Sequence, residues 1–385
     1  MLNLIKEIIA GAGPRRAGSD AEAKAQHLLL AKCAEYTDKT EFLPFSEYLD
    51  ARFGKLRYYV AIFFVSMALY LILPFAAAVM SAFNALVLVL DMAMYRDVLT
   101  SIPGKKQTSS NATATLEPRG EVKSTLILSA HIDSTPEFTW WYRYGQTGVV
   151  LTVLAMVLIV LQAVFLTLHA LHPTPCDLYV WIAFLLLSPL TIVIWSMLGR
   201  EVVQGAADNL SGIAINFEVF TTLADQRAKG KSVLQHTRIR FVSFGSEERG
   251  LCGSRAYAAL KKRELLKENA HLLNIDNVRV ASELTIIGRE PLSGTVHSPV
   301  LIKGLQDSFT ALGLRYKMGM NPIGGSDAIS LGRIGIPSVT VIAMSSKKHD
   351  FTYHTRHDIP DNIEPRALEN VRDMLLDFVR KWDVR

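Results

Sequence analysis

Apolar and polar positions along this chain fall into two regimes. In the first, residues 58–90, 148–168 and 178–198 run apolar without a single charged side chain, where one membrane-crossing helix needs roughly 20 such residues. The 58–90 run is long enough for a hairpin of two short helices meeting near Pro74. The other two runs make a second hairpin, joined through His169, His172 and Asp177. Trp140, Trp141, Tyr142 and Tyr144 stand just before it, as an interfacial aromatic belt does. In the second regime the apolar runs are short and periodic. A helix is predicted over 4–9, stopped by Gly11, Gly13 and Pro14. Ser19 and Glu22 frame a capping box that opens another helix, to about Tyr36. Strands are predicted over 40–48, 124–130, 238–244, 271–275, 284–287 and 338–342, and a helix runs from Asn209 through Phe220. A closing helix over 364–382 puts Leu368, Val371, Leu375, Phe378 and Val379 on one face. Strands alternating with helices predict an α/β layer fold. The expected domain is discontinuous, built from 1–55, 98–143 and 201–385, with transmembrane hairpins inserted as 56–97 and 146–199.

Composition sharpens this picture. Half of the 385 residues are apolar, and the excess lies in the uncharged blocks, as in a membrane protein with a soluble portion. The net charge of +5 comes without any basic run interleaved with aromatics, so nucleic acid is not an expected partner; the lipid bilayer is. Arg52, Lys55, Arg57, Arg96, Arg143 and Arg200 flank the apolar blocks, whereas the hairpin tips hold neither Lys nor Arg. The positive-inside rule then predicts an integral, multi-pass protein with four spans and its catalytic domain on the cytoplasmic side. On that topology the Asn111 sequon would not meet the glycosylation machinery. Cys33, Cys176 and Cys252 are odd in number and scattered, which argues against a disulfide framework or a cysteine zinc site. The first 20 residues lack the continuous apolar core of a cleavable leader.

Chemistry-bearing residues gather at the predicted strand ends. Glu247 and Glu248 sit where the 238–244 strand gives way to a glycine-broken turn, so that one carboxylate can bind a metal while its neighbour moves protons. His131 and Asp133 follow another strand, and their spacing lets the carboxylate approach the imidazole and fix its tautomer. Asp208 stands at a helix start, Asp276 ends an apolar run, and Tyr353, His354, His357 and Asp358 share a late loop. Two histidines and three carboxylates suit a pair of zinc-like ions with one bridging carboxylate. Neither Ser134 nor Cys252 has the base and orienting group that a nucleophile needs.

The segments HID, GAADNLSG, FGSEERGLCGS, NID and YHTRHD, in this order, resemble the co-catalytic zinc aminopeptidases of the M28 peptidase family, and the resemblance extends to the PRRAGS segment at Pro14–Ser19. It covers the soluble portion and none of the apolar spans. The fold it implies is zinc-exopeptidase-like, a mixed β-sheet flanked by helices, here interrupted by the two hairpins. It also implies two zinc ions: His131 and Asp276 on one, Glu248 and His354 on the other, and Asp208 bridging. Glu247 would be the general base, Asp133 would orient His131, and Tyr353 would hydrogen-bond the developing oxyanion. Asp327 resembles a family Ser-Asp element that usually continues with His, where this chain has Ala328. The implied activity is removal of N-terminal residues from peptides. Carboxypeptidase action, glutaminyl-cyclase-like acyl transfer and a catalytically silent membrane receptor are the alternatives. The second hairpin leaves the chain just after Asp133 and returns just before Asp208. That order predicts an active site near the cytoplasmic membrane face, acting on membrane-associated or apolar peptides.

Overall fold

A computed structural model describes residues 1–174, 177–231, 233–321, 324–345 and 350–384; Cys176 lies outside them. The chain forms two compact units. One comprises Met1–Leu49, Lys106–Pro136 and Val202–Arg385, the other Asp50–Lys105 and Glu137–Glu201.

The first unit is built on a nine-stranded mixed sheet. In chain order its strands are β1 (Lys39–Glu47), β2 (Gln107–Leu116), β3 (Ser124–His131), β4 (Thr237–Phe244), β5 (Ala270–Val278), β6 (Thr285–Glu290), β7 (Thr295–Val296), β8 (Lys317–Met320) and β9 (Ser338–Ala343). Their spatial order is β1-β2-β4-β3-β5-β9-β6-β8, with β7 alongside β6. The four central strands β4, β3, β5 and β9 are parallel, and antiparallel β2 and β6 flank them. Parallel strands covered on both faces read as continuous apolar runs, and β3 is buried along its whole length. Leu126 and Leu128 face the core made with Ile213, Phe220, Val371 and Leu375. Ile127 points the other way, to Phe244, Tyr257, Leu265 and Leu331. This alternation buries both faces under helices.

Predicted and observed elements agree closely through this unit. The closing helix is Pro365–Asp383, with the five expected side chains buried. Ser19 caps the helix Asp20–Cys33 by accepting the Glu22 amide. Strand β2 escaped prediction because its sequence is small and polar, yet eight of its positions are buried. Its polar atoms are used internally. Asn111 donates to the Gly253 carbonyl (2.9 Å) and accepts from the Gly245 amide (3.0 Å), so the sequon asparagine is a structural tie.

The second unit is helical. Leu56–Tyr70 and Pro74–Leu88 pack together, with Pro74 at the start of the second helix, where its missing N–H costs nothing. Gln146–Leu171 follows, then Asp177–Leu187, a tighter turn at Ser188–Thr191, and Ile192–Trp195. Among the described residues, three helices are long and apolar enough to cross a membrane: Pro74–Ala93, Gln146–Leu171 and Asp177–Trp195. The helix Leu56–Tyr70 has 15 residues. A short two-stranded sheet pairs Pro136–Phe138 with Leu198–Val202.

The unit boundaries lie outside the expected hairpin limits, and the reason is a buried ionic knot. Lys55 Nζ lies 2.5 Å from Asp91, whose carboxylate also accepts the Tyr59 hydroxyl (2.5 Å) and the Val98 amide (2.8 Å). Arg52 donates to the Met92 carbonyl at 2.7 Å and lies over the Tyr95 ring. These bonds draw residues 50–55 and 98–105 into the helical unit. Asp91 falls one residue beyond the uncharged 58–90 run but inside the Pro74–Ala93 helix, so that span does carry a buried charge.

Candidate metal centre

The site lies at the carboxyl ends of the parallel strands, where ligands bind in open α/β sheets. His131 ends β3, Asp276 lies near the end of β5, and Glu247 and Glu248 follow β4. Asp208 and His354 come from the loops that precede the helix Ser211–Ala228 and the helix Pro365–Asp383.

All five expected ligand residues converge. The two oxygens of Asp208 face two imidazoles: Oδ1 is 3.0 Å from His131 Nε2, and Oδ2 is 3.2 Å from His354 Nε2. His131 Nε2 is also 3.8 Å from Asp276 and 3.9 Å from Glu247, and His354 Nε2 is 3.3 Å from Glu248. Three ligand groups result, His131–Asp208–Asp276, Asp208–Glu248–His354 and His131–Glu247–Glu248, each with its donor atoms mutually within 4.8 Å. The first two share the Asp208 carboxylate. The other buried oxygen of Glu248 has no hydrogen-bond partner among the described residues. Imidazole nitrogens and carboxylate oxygens converging in this way are donor types that divalent zinc takes, so the residues fit zinc.

The local backbone is made for this convergence. Ser246 (φ 53°), Leu251 (φ 62°) and His354 (φ 56°) all lie in the left-handed region, which non-glycine residues occupy at a cost of about 1–3 kcal/mol each and mostly at functional sites. At Gly253 a Cβ would come within 2.1 Å of the Gly245 carbonyl, so the turn carrying the glutamates closes only over glycine. Gly205 (φ 59°) is bounded in the same way by Asp208 O and the Arg15 guanidinium, at 2.6 and 2.9 Å.

Asp133 was expected to orient the His131 ring, and its contacts reach further. It lies 3.4 Å from His131 Nδ1, but its hydrogen bonds come from the Glu247 and Glu248 amides, at 3.0 and 3.1 Å. One buried carboxylate thereby holds the backbone of both glutamates. Tyr353 stacks on the His354 ring, with centroids 3.8 Å apart.

Three supporting residues were not assigned roles by sequence reasoning. Asp358 accepts from the Ala207 (2.7 Å) and Asp208 (3.0 Å) amides and so fixes the shared carboxylate. Glu22, expected only as a capping partner, accepts from Gly18, Ser109 and Ser246. Arg15 is fully buried and donates to the Ile132 and Gly205 carbonyls (2.6 and 3.0 Å). The motifs PRRAGS and YHTRHD contain Arg15 and Asp358, so a signal was present. Glu22 had none beyond its cap position.

Burial and mutual repulsion set the charges. Burial is the main reason the Glu247 and Glu248 carboxyls are pushed up; the Glu247 group rises further beside Asp327, Glu248 and Asp276, against the pull of His131. The same causes bring Asp276 to about 8. Asp358 reaches about 7 through burial and the Asp208 charge. Burial opposes charge on both imidazoles, yet the neighbouring carboxylates win. His354 rises to about 10 and His131 well above its ordinary value. Asp208 is held low because the two histidines outweigh its burial.

A family model described as peptidase family M28 matches residues 187–379. The chain belongs to peptidase family M28. The matched stretch holds Asp208, Glu247, Glu248, Asp276 and His354, while His131 and Asp133 precede it. Among curated relatives of this M28 chain is the aminopeptidase YwaD of Bacillus subtilis (strain 168), 29% identical over 177 residues. That alignment takes in 44% of this chain and only 36% of the relative. A solved zinc aminopeptidase from Bacillus subtilis shares the fold with a TM-score of 0.60 at 17% identity, covering 99% of this chain and 94% of that one. A glutaminyl cyclase from an Acidobacteriales bacterium does so with a TM-score of 0.57 at 15% identity, covering 100% and 94%. The M28 fold thus includes the mixed sheet and flanking helices expected from the sequence.

Proposed function

We propose that this M28 chain is a membrane-embedded, two-zinc aminopeptidase that removes N-terminal residues from peptides. The observation that carries this reading is the Asp208 carboxylate, whose two oxygens face His131 and His354 at 3.0 and 3.2 Å. That arrangement makes Asp208 the shared member of two of the three ligand sets, where a single-ion site would need only one set. His131 and Asp276 would hold one ion, Glu248 and His354 the other, and Asp208 both. Bound zinc supplies Lewis acidity toward the scissile carbonyl and lowers the pKa of water to about 7. The remaining work falls to this chain's own groups. Glu247, not needed as a ligand, takes the proton of the attacking water and delivers it to the leaving amine. Asp133 fixes the Glu247 amide, so the base is placed before substrate arrives. The Tyr353 hydroxyl donates to the oxyanion as it forms.

The bilayer enters through the three long apolar helices, and the flanking arginines and lysines support a catalytic unit on the cytoplasmic side. Chain connectivity supports membrane-associated or apolar peptides as substrates. The chain passes into the helical unit after Pro136, shortly beyond Asp133, and returns at Val202, shortly before Asp208.

The test is metal analysis of the detergent-purified protein and its Glu247→Gln variant, each assayed on free and N-acetylated peptides. Two zinc ions in both proteins, with turnover of free peptides by the wild type alone, is the expected result. One ion, or equal cleavage of acetylated peptides, would defeat the reading; cyclisation of N-terminal glutamine would instead favour acyl transfer.

A further inference from the structure

One carboxylate at the site is left over. Asp327 is 1% exposed, and among the described residues neither of its oxygens accepts a hydrogen bond. The neighbouring Ser254 hydroxyl directs its single proton to the Leu251 carbonyl (3.2 Å) or to Ser330 (2.9 Å). Asp327 belongs to none of the three ligand sets. It nonetheless lies close enough to Glu247 and Asp276 for its charge to add to the effect of burial on both.

The side chain is also built into place. Glu290, itself 1% exposed, accepts from the Ser326 amide (3.0 Å) and the Ser326 hydroxyl (2.6 Å). Ser326 reaches Thr340 of β9 at 2.8 Å, and His297 pairs with Glu290 at 3.0 Å. A buried glutamate–histidine pair thus pins the residue directly before Asp327 and keeps the carboxylate from swinging to water. Burying an acid without a partner is unfavourable, and native proteins leave few such groups. A partner that carries positive charge and donors, arriving beside the base, would satisfy both oxygens.

We propose that Asp327 receives the free α-ammonium group of the peptide, making it the residue that selects unblocked N-termini. The inference rests on the aminopeptidase reading and adds the subsite that would make the enzyme an exopeptidase. An ammonium brings three donors and a charge. An N-acylated chain would leave the carboxylate unpaired and set a carbonyl oxygen near it. Sites whose buried polar groups need a substrate donor discriminate strongly against substrates that lack one.

The experiment compares L-leucinamide with 4-methylpentanamide, which lacks only the amine. Binding to zinc-loaded, full-length Glu247→Gln is measured by calorimetry, with and without Asp327→Asn. The amine-bearing amide should bind more tightly, and Asp327→Asn should weaken it by about 10- to 100-fold without altering the affinity of the des-amino compound. In otherwise wild-type enzyme, the same substitution should raise KM for leucine p-nitroanilide far more than it lowers kcat. The metal-free variant should melt no lower than the parent, because an unpaired buried acid has been removed. Equal weakening of both amides, unchanged leucinamide affinity, or a lowered melting temperature in the metal-free state would overturn the assignment. If wild type cleaves no peptide, the hydrolase reading fails on its own, while calorimetry still reports whether Asp327 binds the amine.

Discussion

The two units treat buried polar groups in opposite ways. In the sheet unit, carboxylates and imidazoles crowd the strand ends until several acids are pushed up to about 7 or 8. In the helical unit the outward surface is apolar: Ile72, Val79 and Leu186 are more than 70% exposed. Its interior polar atoms mostly find main-chain partners, as Ser66 and Gln162 do at the Phe63 carbonyl. Buried acids gather where chemistry is to occur, although Arg52 of the helical unit also keeps two nitrogens without a hydrogen-bond partner among the described residues. In apolar surroundings polar groups are closed off within the protein. The Lys55–Asp91 knot departs from this, as an almost fully buried ion pair within the helical unit.

The comparison would break most visibly at Glu247. Glu247→Gln keeps size and hydrogen bonding but cannot move the proton, so kcat should fall about 10²- to 10⁴-fold while zinc content stays at the wild-type level. Zinc loss in parallel with activity would make Glu247 a ligand and not the base.

The ionic knot comes next. Lys55 and Asp91 are both almost fully buried, and removing one partner of such a pair typically costs about 3–5 kcal/mol because the other is left as a buried charge. Asp91→Ala should therefore lower unfolding stability in detergent by that amount, and Lys55→Met with Asp91→Ala should restore most of it. A double variant no more stable than the single one would mean that the pair, not the leftover charge, supplies the stability.

Removing metal sharpens the contrast through pH. Burial and mutual repulsion raise Asp276 and Glu22 to about 8, and His354 is raised to about 10 by carboxylates that overcome its burial. Every one of these folded-state values lies above its unfolded counterpart, so between about pH 5 and 9 the metal-free folded state binds more protons than the unfolded chain. Stability must then fall as pH rises through that window. Asp208 titrates below the window and leaves the slope unchanged. Zinc at a thousandfold excess over its Kd should add about 4 kcal/mol and flatten the slope, because ligands held by metal no longer take up protons. Melting temperatures at three pH values, with and without zinc, would show it. A metal-free protein that grows more stable toward pH 9 would contradict the charge distribution.

These contrasts also explain what could be read from the sequence. The ligands were legible because metal chemistry restricts residue types, and His131, Asp208, Glu248, Asp276 and His354 each end or follow a recognisable element. The supporting residues were less so. Asp133 was expected beside an imidazole, but its bonds to two amides depend on the left-handed turn at Ser246, which no period in the sequence announces. Glu22 looked like half of a capping box because its second partner, Ser246, is far away in the chain. Strand β2 lacked an apolar signature since Asn111 and its neighbours meet their obligations sideways, to the Gly245–Gly253 turn. Asp91 was missed for a simpler reason: a run defined by the absence of charge ends at the first charge, although the helix does not.

The smallest effect is expected at Gln162, fully buried in the helix Gln146–Leu171. Its amide donates to the Phe63 carbonyl (2.8 Å) and to Ser66 (3.2 Å), while its Oε1 has no partner. Gln162→Leu would remove two donors and one unsatisfied acceptor together. Phe63 O keeps the Ser66 hydroxyl at 3.0 Å, so little is left stranded. Side-chain hydrogen bonds between membrane helices average only about 0.6 kcal/mol, and the change in stability should stay near or below that value, with peptide turnover unaltered. A loss of several kcal/mol would show that the helical unit depends on buried polar contacts as heavily as the metal centre does, and the distinction between the two units would have to be redrawn.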